Sequence, residues 1–218
     1  MRLLLHLVFA GVFCLSLSDA GSAEEPGATP ARNIRISFLP PPLEGTISLG
    51  IYDANGTLVR VLFREAELEA FTVGADALHT TWDGKDDAGA MLPPGKYSAR
   101  GFVVADLKVE DVPGQTTEPM PPVESVKARL VANPLNSDQK STVDLSAGYD
   151  EDASFLETAD GLPLYTVDEM PGITRVTLAQ RPDKSLDFFE DDGDSVAQFH
   201  ISGVSKMMAF DCGDFELK

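Results

Sequence analysis

Apolar and polar residues alternate along this chain with a period of two wherever a pattern is present. In NIRISFLP, Ile34, Ile36 and Phe38 alternate with Arg35 and Ser37. In TISLGIYD, Ile47, Leu49 and Ile51 alternate with Ser48, Gly50 and Tyr52. Successive side chains of a strand point to opposite faces. Each stretch therefore predicts a strand with one buried and one wetted face, in an antiparallel sheet. DANGT follows, and then Val59, Val61 and Phe63 alternate with Arg60. Asn55-Gly56 tolerates positive φ, which predicts a type I′ hairpin turn. Residues 64–77, REAELEAFTVGADA, have a short helix-favouring stretch broken by Gly74, which predicts a loop with one helical turn.

The next pattern runs from Leu78 to Val103. Leu78, Thr80 and Trp82 share one strand face, with Trp82 a core anchor. Asp83-Gly84 and Ala88-Gly89 bracket a polar tip, and Pro93-Pro94-Gly95 presets a further turn in which the glycine can take positive φ. Tyr97, Ala99, Gly101 and Val103 then line one face of a long strand. Residues 107–124 are rich in proline and polar residues and read as an extended linker. Beyond it, short strand-like runs recur at 125–132, 141–148, 153–161, 163–170, 173–181, 184–191 and 195–202, separated by acidic or glycine turns. The fold class is all-β.

The N-terminus carries a different signal. Arg2 precedes an apolar run from Leu3 to Leu17, and Ser18-Asp19-Ala20 and Gly21-Ser22-Ala23 offer small residues at cleavage positions. Residues 1–23 read as a signal peptide and 24–31 as a flexible leader. The protein is expected to be secreted, or periplasmic at the cell envelope. Cys14 follows Phe13, where a lipidation site wants a small residue. Removing residues 1–23 takes away Cys14, leaving Cys212 without an internal disulfide partner. It also removes one charge of each sign, Arg2 and Asp19, so the formal net charge stays at −18. With a pI near 4.3, such a chain repels phosphate backbones and anionic lipid heads. Nucleic acid is not an expected partner, and neither is the membrane once the leader is cleaved.

Within residues 32–106 a set of short motifs recurs at consecutive spacings: Ile51-Tyr52-Asp53 with Gly56, Val59-Arg60-Val61-Leu62, Trp82-Asp83-Gly84 with Gly89, and Pro94-Gly95-Lys96-Tyr97. This set resembles the immunoglobulin-like domain of the flagellar hook-capping family. The resemblance implies a small β-sandwich without catalytic residues, often appended to larger secreted proteins as a spacer or docking unit. The expected organisation is an immunoglobulin-like β-sandwich over 32–106, the linker, and a second small antiparallel β-domain over 125–218. In that second half ASFLETADGLPLYTVD loosely resembles one hairpin of a β-propeller blade, with Asp160-Gly161 at its turn; a meander is the other form open to it.

Candidate chemistry is sparse. Of the histidines, His79 and His200 remain after cleavage, each on a strand pattern, and neither has zinc-ligand spacing with a cysteine. Carboxylates cluster in turns, and oxygen-rich turns suit calcium. The candidate ligands are Glu190, Asp191, Asp192 and Asp194, although FFEDDGDS does not match the twelve-residue calcium loop. No phosphate-binding glycine loop is present, and no other cofactor is expected. The expected function is a non-catalytic, exported structural or adhesive module. It would present hairpin tips 53–57 and 83–89 to a protein or cell-envelope partner. The alternatives are a carbohydrate-binding module, or a fragment or subunit of a larger secreted β-propeller protein.

Overall fold

The computed structural model describes residues 32–114, 125–135 and 141–218. The expected signal peptide, the leader and residues 115–124 of the expected linker lie outside the described residues. The first strands are β1 (Ile34–Phe38), β2 (Thr46–Asp53), β3 (Leu58–Ala66), β4 (Thr72–Val73), β5 (Leu78–Trp82), β6 (Gly95–Val104) and β7 (Lys108–Asp111). They are followed by β8 (Val126–Arg129), β9 (Thr142–Tyr149), β10 (Ser154–Thr158), β11 (Pro163–Asp168) and β12 (Arg175–Gln180). The last are β13 (Leu186–Asp191), β14 (Val196–Ser202) and β15 (Met207–Leu217). One 3-10 turn, Leu68–Ala70, is the helical element among the described residues, and every strand pair is antiparallel. The all-β class holds.

The strands form four sheets in the orders β1-β5-β4, β15-β6-β2-β3, β11-β10-β9-β8 and β12-β13-β14-β7. The first two enclose the sandwich core. Ile47, Leu49 and Ile51 of β2 meet Ile36 and Phe38 of β1 and Trp82 of β5, with Phe210 and Leu217 of β15 in the same cluster. Trp82 is 1% exposed and packs edge-on against Tyr97 and Phe215 at 5.4 and 5.7 Å. Its indole N–H donates to the Lys85 carbonyl at 2.8 Å, and the Tyr97 hydroxyl donates to the Pro93 carbonyl at 2.9 Å. Both aromatics thus bury an apolar body and satisfy the polar tip.

The other face of the β15-β6-β2-β3 sheet is buried too. Phe102 and Val104 of β6 and Met207 and Ala209 of β15 join a second core with Leu145, Leu156, Leu164, Leu178 and Phe188 of the two meander sheets. This corrects the expectation of a wetted face on β2, since Ser48 is 1% and Tyr52 2% exposed. The reason is coverage. The second half of the chain packs on the side that an isolated sandwich would leave in water.

The expected boundaries at 106 and 125 also fail to follow the pairing. Strand β7, placed in the linker, pairs with β14, and β15, placed in the second domain, pairs with β6 along its length. Leu107 sits in the second core. Gly101 marks how tightly β15 is seated. A Cβ there would lie 2.5 Å from the Ser48 carbonyl oxygen and 2.5 Å from the Phe210 ring.

Three local expectations change as well. The 53–57 hairpin is not type I′. Gly56 alone of its residues has positive φ, +81°. The Gly56 N–H donates to the Asp53 carbonyl and the Asp53 N–H to the Thr57 carbonyl. This is a three-residue loop with glycine in the bulge position. Strand β3 continues through residues 64–66, where a loop was expected. Register shifts turn Leu58 and Val61 toward one core and Val59, Leu62 and Phe63 toward the other. Gly95 does not take positive φ and instead opens β6.

The double burial makes a prediction. Urea unfolding followed by Trp82 fluorescence, which reports the sandwich core, should coincide with unfolding followed by far-ultraviolet circular dichroism. Deleting residues 207–218 should abolish the cooperative transition in both signals, whereas independent domains would leave one signal intact.

Candidate functional site

The candidate ligands Glu190, Asp191, Asp192 and Asp194 lie at the end of β13 and in the turn that follows it. Asp191 accepts the Gly193 N–H at 2.9 Å. Asp192 accepts those of Asp194 and Ser195 at 2.8 and 2.7 Å. These bonds hold the Asp192 carboxyl below its usual range, the Ser195 and Asp194 N–H groups contributing most. Asp194 is exposed. Glu190 points the other way, into the protein, so the four candidates are not brought together. Among the described residues no group of three or more His, Cys, Asp or Glu side chains could hold a metal.

Glu190 is 1% exposed, and its Oε1 accepts a hydrogen bond from Ser154 of β10, linking the two meander sheets. Its Oε2 and the Thr177 hydroxyl on the adjacent strand are buried without partners among the described residues. Burial pushes the Glu190 carboxyl up to about 6; the Ser154 hydroxyl opposes this and the Asp168 charge adds to it. It is a joint residue whose charged form the surroundings disfavour.

The histidines do not assemble into a catalytic group. His79 pairs with Ser37 at 2.7 Å in the β1-β5-β4 sheet, and His200 lies 3.2 Å from Asp187 across β13 and β14. Neither arrangement joins a base, an acid and a nucleophile. Cys212 is half-buried, and burial pushes its thiol far above the usual range.

Tip 83–89, expected to be offered to a partner, leans on β3 at Asp86 and Asp87, while Asp83 and residues 87–89 are exposed. The Asp87 carboxylate accepts the Val61 N–H at 3.0 Å, and the Asp86 carbonyl accepts from Arg60 at 2.6 Å. Tip 54–57 is exposed, and Asp53 fixes it by accepting the N–H groups of Asn55 and Thr57 at 2.9 Å.

Two features at the junction of the halves gave no sequence signal. Arg64 donates to Asp150 at 2.7 Å and to Thr166 at 3.2 Å, with its guanidinium 4.2 Å above the Phe155 ring. Next to it Glu65 has a φ of 47° and accepts from the Thr166 hydroxyl at 2.5 Å. A short polar residue or glycine is the usual marker of that backbone region, so a glutamate concealed it.

The second feature is a cleft of about 450 Å³ lined by Tyr52, Arg100, Phe102, Thr142, Asp144, Thr158 and Asp160. It lies where β2 and β6 of the double-buried sheet meet β9 and the β10–β11 turn. Arg100 lies over the Tyr52 ring at 3.9 Å. Burial, reinforced by the Asp160 charge, raises the Tyr52 hydroxyl above the usual phenol range while Arg100 opposes. The hydroxyl therefore stays protonated and able to donate.

The geometry defines an immunoglobulin-like β-sandwich module joined strand by strand to two meander sheets. Residues 29–101 match the family model described as the FlgD Ig-like domain, the immunoglobulin-like domain of flagellar hook-capping proteins. The match ends within β6, so β15, which completes the sheet, lies outside it. No curated protein and no solved structure matches the chain. Among the described residues no helix is long and apolar enough to cross a membrane.

A pH prediction follows from Glu190. Its folded value of about 6 lies above its ordinary 4.5. The stability it lends is therefore present below pH 4.5 and lost as pH rises through 6. Glu190→Gln should stabilise the protein above pH 6.5 by on the order of 2 kcal/mol and lose that advantage below pH 4.5. Urea melts across that pH range are the check.

Proposed function

We propose that the protein is an exported, non-catalytic structural module that offers a surface to a protein partner at the cell envelope or outside the cell. The match to the FlgD Ig-like domain carries this reading, because it names a structural domain family. The spending of that segment's distinctive residues on packing supports it. Trp82 and Tyr97 anchor the core, and Asp87 caps β3. The surface offered is tip 54–57, which is exposed and already ordered, so a partner would immobilise little chain on binding.

The experiment is immunodetection across cytoplasmic, periplasmic, envelope and medium fractions, with intact mass, followed by photo-crosslinking from Asn55. A product lacking residues 1–20 or 1–23 outside the cytoplasm, crosslinked to a defined protein, is expected. A cytoplasmic, uncleaved product would overturn the export reading, and absence of a crosslink from Asn55 would overturn the assignment of the tip.

A further inference from the structure

The cleft between β2, β6 and the first meander holds polar groups that the described protein does not use. Arg100 has no ion-pair or hydrogen-bond partner among the described residues, and its Nε is buried without one. Tyr52 lines the same space, with its ring beneath Arg100 and its hydroxyl held protonated. Asp144 gives one oxygen to Lys127 at 2.6 Å, and Asp160 gives one to the Thr158 hydroxyl; among the described residues the second oxygen of each is free. A buried donor left without a partner costs about 1–3 kcal/mol, so a group such as the Arg100 Nε normally has one, while Asp144 and Asp160 are exposed at the rim.

We propose that this cleft is a binding site for a neutral saccharide, with Arg100 and Tyr52 donating hydrogen bonds and Asp144 and Asp160 accepting them. Both kinds of group face one space. A sugar hydroxyl, which donates and accepts at once, fits that mixture better than a ligand that only accepts. The charge balance points the same way. An anion entering here would approach a chain of net charge −18 past two carboxylates. The place is also suitable, since clefts at the junction of packed units are common sites for small ligands. Tyr52 lies beneath Arg100 and offers no open stacking face, so recognition rests on hydrogen bonds and calls for modest affinity. The site adjoins tip 54–57, since a Cβ on Gly56 would lie 3.9 Å from an Arg100 Nη, but it does not rest on the export reading.

The test uses the full chain labelled with ¹⁵N, titrated with maltohexaose, cellohexaose, xylohexaose and chitohexaose to about 10 mM, which reaches millimolar Kd values. A galacturonate hexamer serves as the anionic comparator. At least one neutral oligosaccharide should produce saturable shifts confined to the amides of residues 100, 142–144 and 158–160. Arg100→Met should weaken that binding at least about tenfold. Tyr52→Phe keeps the ring beneath Arg100 and removes only the hydroxyl. Asp160→Asn keeps the size and the acceptor for Thr158. Both should weaken binding without moving Tm. Absence of shifts with all four neutral sugars would overturn the proposal. So would shifts located elsewhere, shifts with the galacturonate hexamer alone, or unchanged affinity in folded Tyr52→Phe and Asp160→Asn.

Discussion

A sheet with two dry faces must find partners on both sides, and the β15-β6-β2-β3 sheet is the element on which everything else rests. Its composition reflects that demand. Phe102, Val103 and Val104 run consecutively without a polar break because neighbouring side chains enter opposite cores, and in the apolar run Met207 to Phe210 the residues Ala209 and Phe210 divide in the same way. Where the backbones approach closely the residues are small, as at Ser48 and Gly101. Removing β15 would expose apolar surface in both cores at once. The halves therefore share one stability, and the family-matched segment lacks a full sheet without the distant C-terminal strand.

Much of this was legible in the sequence, and the omissions share one cause. The strand-like runs of the second half each became a strand close to its expected bounds, and in β8, β9 and β13 the inner and outer faces alternate in burial. Trp82 and the Tyr97–Val103 face were legible for the same reason. Strand β15 was not, because a segment buried on both sides loses the alternation that marks a strand. Strand β7 was hidden by the polar composition it shares with the linker. On β2 the alternation was real, but Ser48, Gly50 and Tyr52 looked like a wetted face when they were the small and amphipathic side of a buried one. The cleft was illegible in principle. Its residues come from positions 52 to 160 and meet only because β9 and the β10–β11 turn pack against the end of β6.

The acidity of the chain acquires a structural account. Asp53, Asp83, Asp150, Asp183, Asp191, Asp192 and Asp211 each accept the backbone N–H two residues ahead. An aspartate in that position mimics a backbone turn; six of these sit at the ends or in the connections of strands, and Asp211 sits at the bulge within β15. A protein of many short antiparallel strands needs many such turns. Part of the negative charge is thus the residue of turn chemistry, and its concentration at loops does not by itself signal a cation site.

Edge protection limits where this sheet could pair with another chain. Strand β3 ends its sheet, and an unpaired edge invites association with other chains. Here the most distinctive loop of the matched segment is folded back to cover it, with Asp87 taking the Val61 N–H and Arg60 gripping the Asp86 carbonyl. Further along the same strand, Arg64 and Glu65 tie it to Asp150 and Thr166 of the meander. At the opposite edge, the Val131 N–H and the Asn133 side chain bond to the carbonyls of Met207 and Ala209. Strand addition at Val61 of β3 or at the start of β15 would have to displace existing bonds. Away from these edges, tip 54–57 is exposed and the Arg100 Nε is buried without a partner among the described residues.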